Sequence, residues 1–171
     1  MPTSLSMTTK TTLPRDVVCA IGRVVVNFQH LEFTIVRLIW IMAAADEEIG
    51  QRITACVMFS KLLDLLTSVF LYRVQTPNLV KQFESLISRA RSVSTARNRI
   101  VHSWWFTNLD GTEPSRLKLS PKGTQDGSDI DMNALSVEIS NLAHDFDNFI
   151  NELYDAKLIR KKPGISLESL A

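Results

Sequence analysis

The chain has little cysteine, little histidine and almost no excess charge of either sign, and each shortage removes a class of function. Of 171 residues, two are cysteine and three are histidine. Cys19 and Cys56 stand in apolar helical stretches, away from any second cysteine or histidine at metal-ligand spacing. They read as small buried hydrophobes in a reducing compartment, not as redox or metal groups. No His, Cys, Asp or Glu set falls at ligand spacing, so a metal hydrolase is a poor reading and neither metal nor cofactor is expected. Lys and Arg number 19 against 18 Asp and Glu, a net charge of +1. Any nucleic-acid or membrane binding must therefore rest on a local patch. Long uninterrupted apolar runs are also missing. Arg23, Asn27, His30, Glu32 and Arg37 break the most apolar segment well short of the roughly 18 residues of a membrane span. Residues 1–13, rich in Thr and Ser, lack the apolar run of a secretory signal. The expectation is a soluble, cytoplasmic protein with no membrane partner.

What is present is helix periodicity. With 45% hydrophobic and 22% charged residues, the chain is long enough to bury one core. A flexible leader (residues 1–13), one helical domain (14–160) and a fraying tail (161–171) with Pro163 and Gly164 are expected. Over residues 14–45, Ile21, Val24, Phe28, Leu31, Ile35, Leu38, Met42 and Ala45 alternate steps of three and four, predicting a long helix behind Pro14. A second line, Val18, Val25 and Ile39, is completed by Glu32. Residues 46–50 read as a connection. A second helix is expected over residues 53–72 with two stripes, Met58, Leu62, Leu65, Val69, Tyr72 and Phe59, Leu63, Leu66, Phe70, hence covered on more than one side. Thr76-Pro77 opens a third helix through Leu79, Phe83, Leu86, Ala90 and Val93 towards Trp104. Turn signals at Asp110-Gly111, Pro114, Pro121-Lys122-Gly123 and Asp126-Gly127 predict a loop or small hairpin over residues 104–128. A final helix starts near Asp131 or Asn133 and carries Leu135, Ile139, Leu142, Phe146, Phe149 and Leu153. The fold class is all-α, an up-and-down bundle of four main helices.

One position breaks the pattern. Continuing the third helix's stripe places Arg97, then Ile100, in a core-facing register. A guanidinium buried without partners is costly, so a pocket, an anion, a carboxylate or a subunit boundary must meet it. Asn98 and His102, four residues apart, stack on one helix face, whereas Arg97 and His102 lie about 140° apart around the helix. Either the helix distorts, or a second copy brings its own pair close, which makes a symmetric homodimer with a composite cleft the economical arrangement. Residues 85–109 contain no Asp or Glu but hold Arg89, Arg91, Arg97 and Arg99, a footprint for phosphate. A solvated basic face is the plainer alternative.

The run Arg97-Asn98-Arg99-Ile100-Val101-His102 resembles the signature of the HEPN superfamily, in which an arginine, often followed by a polar residue, precedes a histidine by four to six positions near the end of a bundle helix. In a chain of this composition such an Arg-Asn pair with a correctly spaced His arises by chance about 0.03 times. The resemblance implies an all-α domain, spanning residues 14–159 here, that dimerises so that two motifs line one cleft. Active members are metal-independent endoribonucleases, often toxins or defence components with an antitoxin or nucleotidyltransferase partner. Other members bind nucleic acid, nucleotide or a protein without cleaving.

RNA carries its own nucleophile, so cleavage needs a proton-moving group and a cation on the phosphorane. His102 suits the first task and Arg97 the second. Asn98 would orient His102 or donate to the phosphate, Glu32 would hold Arg97 if it faces the cleft, and Arg89, Arg91 and Arg99 would bind phosphates. Plainer readings stand beside these. They are a helix-end dipole partner for His102, an Arg97–Glu32 bridge, a backbone cap for Asn98, a rim carboxylate for Glu32 and surface or packing positions for His30 and His144. Trp104-Trp105-Phe106 reads as a hydrophobic lid or a base-stacking platform.

Overall fold

The computed structural model describes residues 13–107, 114–120, 123–126 and 130–159. Five helices occur among them: α1 (Arg15–Ala43), α2 (Glu47–Thr54), α3 (Phe59–Arg73), α4 (Pro77–Val101) and α5 (Met132–Asp155). Between α4 and α5 the chain forms a small antiparallel sheet of β1 (Trp104–Thr107), β2 (Pro114–Ser120) and β3 (Gly123–Asp126), in the order β1-β2-β3. The protein is helical, as its periodicity requires. The leader and tail expected at the two ends, and the turn signals at Asp110-Gly111 and Pro121-Lys122, lie outside the described residues.

The chain divides into two compact units, Met1–Gln29 with Ser92–Ser140, and His30–Arg91 with Asn141–Ala171. In the first, Val17, Ala20, Val24 and Phe28 of α1, Val93 and Ile100 of α4, and Leu135 and Ile139 of α5 are buried. Polar contacts accompany this core: Asn27 Nδ2 donates to the Ser136 carbonyl and Oγ, both at 3.0 Å, and Arg23 donates to Asn133 Oδ1 at 2.8 Å. The start of α5 is capped by Asp131, whose carboxylate accepts from the Asn133 and Ala134 amides at 2.9 and 3.0 Å.

The second unit centres on Phe70 of α3, Phe83 of α4 and Phe149 of α5. Phe70 stacks on Phe83 with centroids 3.9 Å apart, and Phe149 sits 5.7 and 6.2 Å from the two. Trp40 of α1 packs on the backbone of Gly50, where a Cβ would come within 2.6 Å of the indole. Its Nε1 donates to Thr54 Oγ1 at 3.1 Å, and that hydroxyl donates to the Gly50 carbonyl at 2.8 Å.

Several expectations are corrected. Asp46 begins a helix instead of a connection, its carboxylate accepting from the Ile49 amide at 2.8 Å with Glu47 and Glu48 in the first turn and Arg52 in the last. α3 starts at Phe59, six residues later than expected, because α2 and a turn occupy the intervening chain. It buries Leu62, Leu63, Leu66 and Phe70, while Met58 and Tyr72 stand 70% and 85% exposed. Within the single chain α3 is therefore covered on one side. α4 ends at Val101, and Trp104 opens a strand. Cys19 and Cys56 are exposed, not buried. Cys19 falls off the stripe that carries Val17, Ala20 and Val24, and Cys56 occupies a turn with φ of 60°.

α1 and α5 both end without glycine in Schellman geometry. Ala44 and Lys157 take φ of 54° and 58°, and the following amides, Ala45 and Leu158, reach back to Trp40 and Leu153 at 3.1 Å each. By length and composition α1 could cross a membrane, with mean hydropathy 1.3 over its most apolar window. Its stripe of Val24, Phe28, Leu31, Ile35 and Leu38 is nevertheless buried in core, and core helices pass the same test.

Candidate functional site

The last turns of α4 place the residues singled out by the sequence. Leu79, Phe83, Leu86, Ala90 and Val93 are buried and Ile100 is 1% exposed, so Arg97 falls on the inward face as its register demands. It is half-buried. Its guanidinium carbon lies 4.9 Å from the centroid of the Phe28 ring on α1, close enough for a cation–π contact. Nη1 donates to Asn98 Oδ1 at 3.0 Å, while Nε is buried without a hydrogen-bond partner. A fixed cation with an unused buried donor is a costly element for a fold to hold.

Asn98 and His102 are exposed. They meet through the backbone, the His102 amide donating to the Asn98 carbonyl at 3.1 Å, and the Asn98 Oδ1 accepts from Arg97. His102 is the first residue beyond α4, and its surroundings explain why the helix stops there. Ser103 Oγ donates to the Arg99 carbonyl, and Trp105 Nε1 donates to the Ile100 carbonyl at 2.9 Å. The last carbonyls thus find partners without another helical turn. β1 then pairs antiparallel with β2, with Trp104 opposite Leu117 and Thr107 opposite Pro114. Successive side chains of a strand alternate between faces. Thr107 is 2% exposed and Trp105 half-buried, whereas Trp104 is 68% exposed. The aromatic run is thus divided, with Trp105 capping α4 and Trp104 facing solvent.

The remaining candidates separate from this cluster. Arg99 is exposed on α4. Arg89 and Arg91 belong to the second unit and are engaged there, Arg89 with Asp145 at 2.7 Å and Arg91 with Asp64 at 2.8 Å. Hydrogen bonds from Arg91 and Lys61 hold the Asp64 carboxyl below its ordinary value of 3.8. Two of the four cations assigned to phosphate are therefore occupied by carboxylates. Glu32 is half-buried on α1 in the second unit, and His30 and His144 are exposed. A cleft of about 590 Å³ in the same unit is lined by Asn78, Lys81, Gln82, Ser85, Leu86, Arg89, Asp145 and Asn148 and includes none of Arg97, Asn98 or His102. Among the described residues no group of three or more His, Cys, Asp or Glu could hold a metal ion.

Phe28 is the residue whose role the sequence left unread. It belonged to the α1 stripe as a core residue, and nothing local in the chain pairs that stripe with Arg97. The one available hint was that an arginine in a core-facing register requires a partner able to meet a cation.

No family model matches the chain, and neither a curated protein nor a solved structure matches it.

Proposed function

We propose that the chain is a HEPN-like endoribonuclease that needs no metal, with α1, α3, α4 and α5 as its four main bundle helices. Two copies would pair so that both Arg97 and His102 sets line one cleft. The 2′-hydroxyl oxygen attacks the adjacent phosphorus and the bond to the 5′-oxygen breaks, leaving a 2′,3′-cyclic phosphate and a 5′-hydroxyl. One imidazole takes the 2′-hydroxyl proton, and the leaving oxygen gains a proton from the His102 of the second copy or from water. Arg97 stabilises charge on the phosphorane, a task for which a planar, permanently charged fork is well suited. The role in the cell would be that of a toxin or defence component with an antitoxin or nucleotidyltransferase partner.

The observation that carries this reading is the state of Arg97. Its guanidinium is set over Phe28 and steadied by Asn98 Oδ1, with a buried Nε unpaired, at the helix end that presents His102 to solvent. A cation fixed in advance costs no reorganisation when charge develops. Labelled single-stranded RNA incubated with the protein in EDTA between about pH 5 and 8, where histidine titrates, should yield cyclic-phosphate ends. His102→Ala and Arg97→Lys should abolish the products with the helical content unchanged. Full activity in His102→Ala would reject the assignment, as would activity lost on chelation. RNA binding without cleavage would leave a non-catalytic binding module.

A further inference from the structure

We infer that Trp104 is a stacking platform for an unpaired nucleobase beside the scissile phosphate, so that the substrate is single-stranded at the cut; this rests on the endoribonuclease reading. Three tryptophans serve three ends. Trp40 is 7% exposed and bonded to Thr54, and Trp105 gives its indole N–H to the end of α4. Trp104 is 68% exposed, an indole left in water as Met58 and Tyr72 are elsewhere on the surface. Singly exposed hydrophobes are ordinary on any surface. What distinguishes Trp104 is its setting.

It is two residues from His102, so their Cα atoms are at most about 7 Å apart. It opens β1, whose pairing with β2 fixes the backbone, and the alternation of the strand turns it away from buried Thr107. Arg97, Asn98, His102 and Trp104 all belong to the first unit. A cation, an amide, an imidazole and an outward-facing indole at one helix end match the two parts of a nucleotide, phosphate and base. Every base offers a π face, so recognition of this kind is tolerant of sequence but demands an unstacked base. A duplex, whose bases are already stacked, offers none.

The test uses the His102→Ala protein, which keeps RNA intact, and a fluorescein-labelled decanucleotide of single-stranded RNA beside its duplex. Trp104→Ala in this background should weaken single-strand binding by about 5- to 150-fold, the range for one lost base–aromatic stack, and Trp104→Phe should stay within a few-fold. Single-stranded RNA should quench tryptophan emission, the duplex should not, and the quenching should vanish in Trp104→Phe. With His102 intact, Trp104→Ala should raise KM far more than it lowers kcat. Unchanged affinity in Trp104→Ala, equal quenching by duplex, or no RNA binding at all would overturn the inference. So would loss of self-association in Trp104→Ala with RNA affinity kept, which would place the indole between copies of the chain. Binding and quenching that depend on Trp104 in a protein that never cleaves would sink the endoribonuclease reading while the platform stands. Cleavage indifferent to Trp104 would do the reverse.

Discussion

Replacing Arg97 by Met should leave the protein as stable as before or make it more stable, while abolishing cleavage. Four terms set the magnitude. The contact of the guanidinium with Phe28, 4.9 Å from the ring centroid, is worth about 0.5–1 kcal/mol at a half-exposed site. The bond to exposed Asn98 adds about 0.5 kcal/mol, the low end for hydrogen bonds made in water. Against both stands the buried, unpartnered Nε, whose desolvation costs about 1–3 kcal/mol. Methionine removes that donor and keeps an unbranched stem on Phe28, with a sulfur–aromatic contact of about 0.3–1.5 kcal/mol. The sum runs from near zero to about 3.5 kcal/mol in favour of the variant. Urea unfolding with an unchanged m-value measures it directly. A loss greater than about 2 kcal/mol would mean that Arg97 is a structural bridge in the core, the bridge to Glu32 included, and the case for a cation kept for chemistry would collapse.

Gly50→Ala and Gly22→Ala should move stability in opposite directions. A Cβ at Gly50 meets the Trp40 indole at 2.6 Å whereas one at Gly22 meets nothing within 4 Å, so the first should lose about 1–2 kcal/mol net of helix propensity and the second gain about 0.5–1. Denaturant midpoints decide, and equal effects would show that Trp40 does not press on α2. Ala44→Gly should stabilise by about 0.5–1 kcal/mol, because φ of 54° penalises a Cβ in the Schellman position; thermal unfolding that shows a loss would refute it. Burial raises the Tyr154 hydroxyl above its ordinary value of 10.0, a shift that the nearby Arg37 charge opposes. A raised folded value means a contribution fully present below pH 10 and lost as pH climbs through the folded value. The stability difference between wild type and Tyr154→Phe should therefore be flat in neutral solution and change only in alkali; a change confined to the neutral range would contradict it.

How far the fold can be read from the chain depends on where its information lies. α1, α4 and α5 were readable because each carries a long stripe, and Leu135, Ile139, Leu142, Phe146, Phe149 and Leu153 are all buried as their spacing requires. α2 has eight residues, of which only Gly50 and Thr54 are buried, so periodicity has nothing to register. Its signals were instead Asp46 as a cap and Glu48 paired with Arg52 four residues on. The helix ends at Ala44 and Lys157 escape composition because glycine, the usual residue there, is missing. The turn residues between α4 and α5 predict only a loop or small hairpin, since they announce reversals but not the third strand's pairing.

At the site the same division holds, and it fixes one further outcome. Arg97 could be found because a regular stripe makes an exception visible, and Asn98 and His102 followed from their spacing. The grouping of four arginines as phosphate ligands rested on the lack of acids over residues 85–109, and a count along one helix cannot see Asp64 on α3 or Asp145 on α5. Those carboxylates hold Arg91 and Arg89, side chains that are 48% and 39% exposed, so neutralising them gains RNA little that is not already present. Single-stranded RNA binding to the His102→Ala protein should then release counterions for at most two of the four arginines per protomer, because Arg89 and Arg91 are already paired. The slope of log K against log salt should be no steeper than about −1.4, against about −2.8 if all four contacted phosphates. Anisotropy titrations between low and moderate salt separate the two. The steeper slope would mean that RNA displaces Asp64 and Asp145, and that the ion pairs are a resting arrangement of the binding surface.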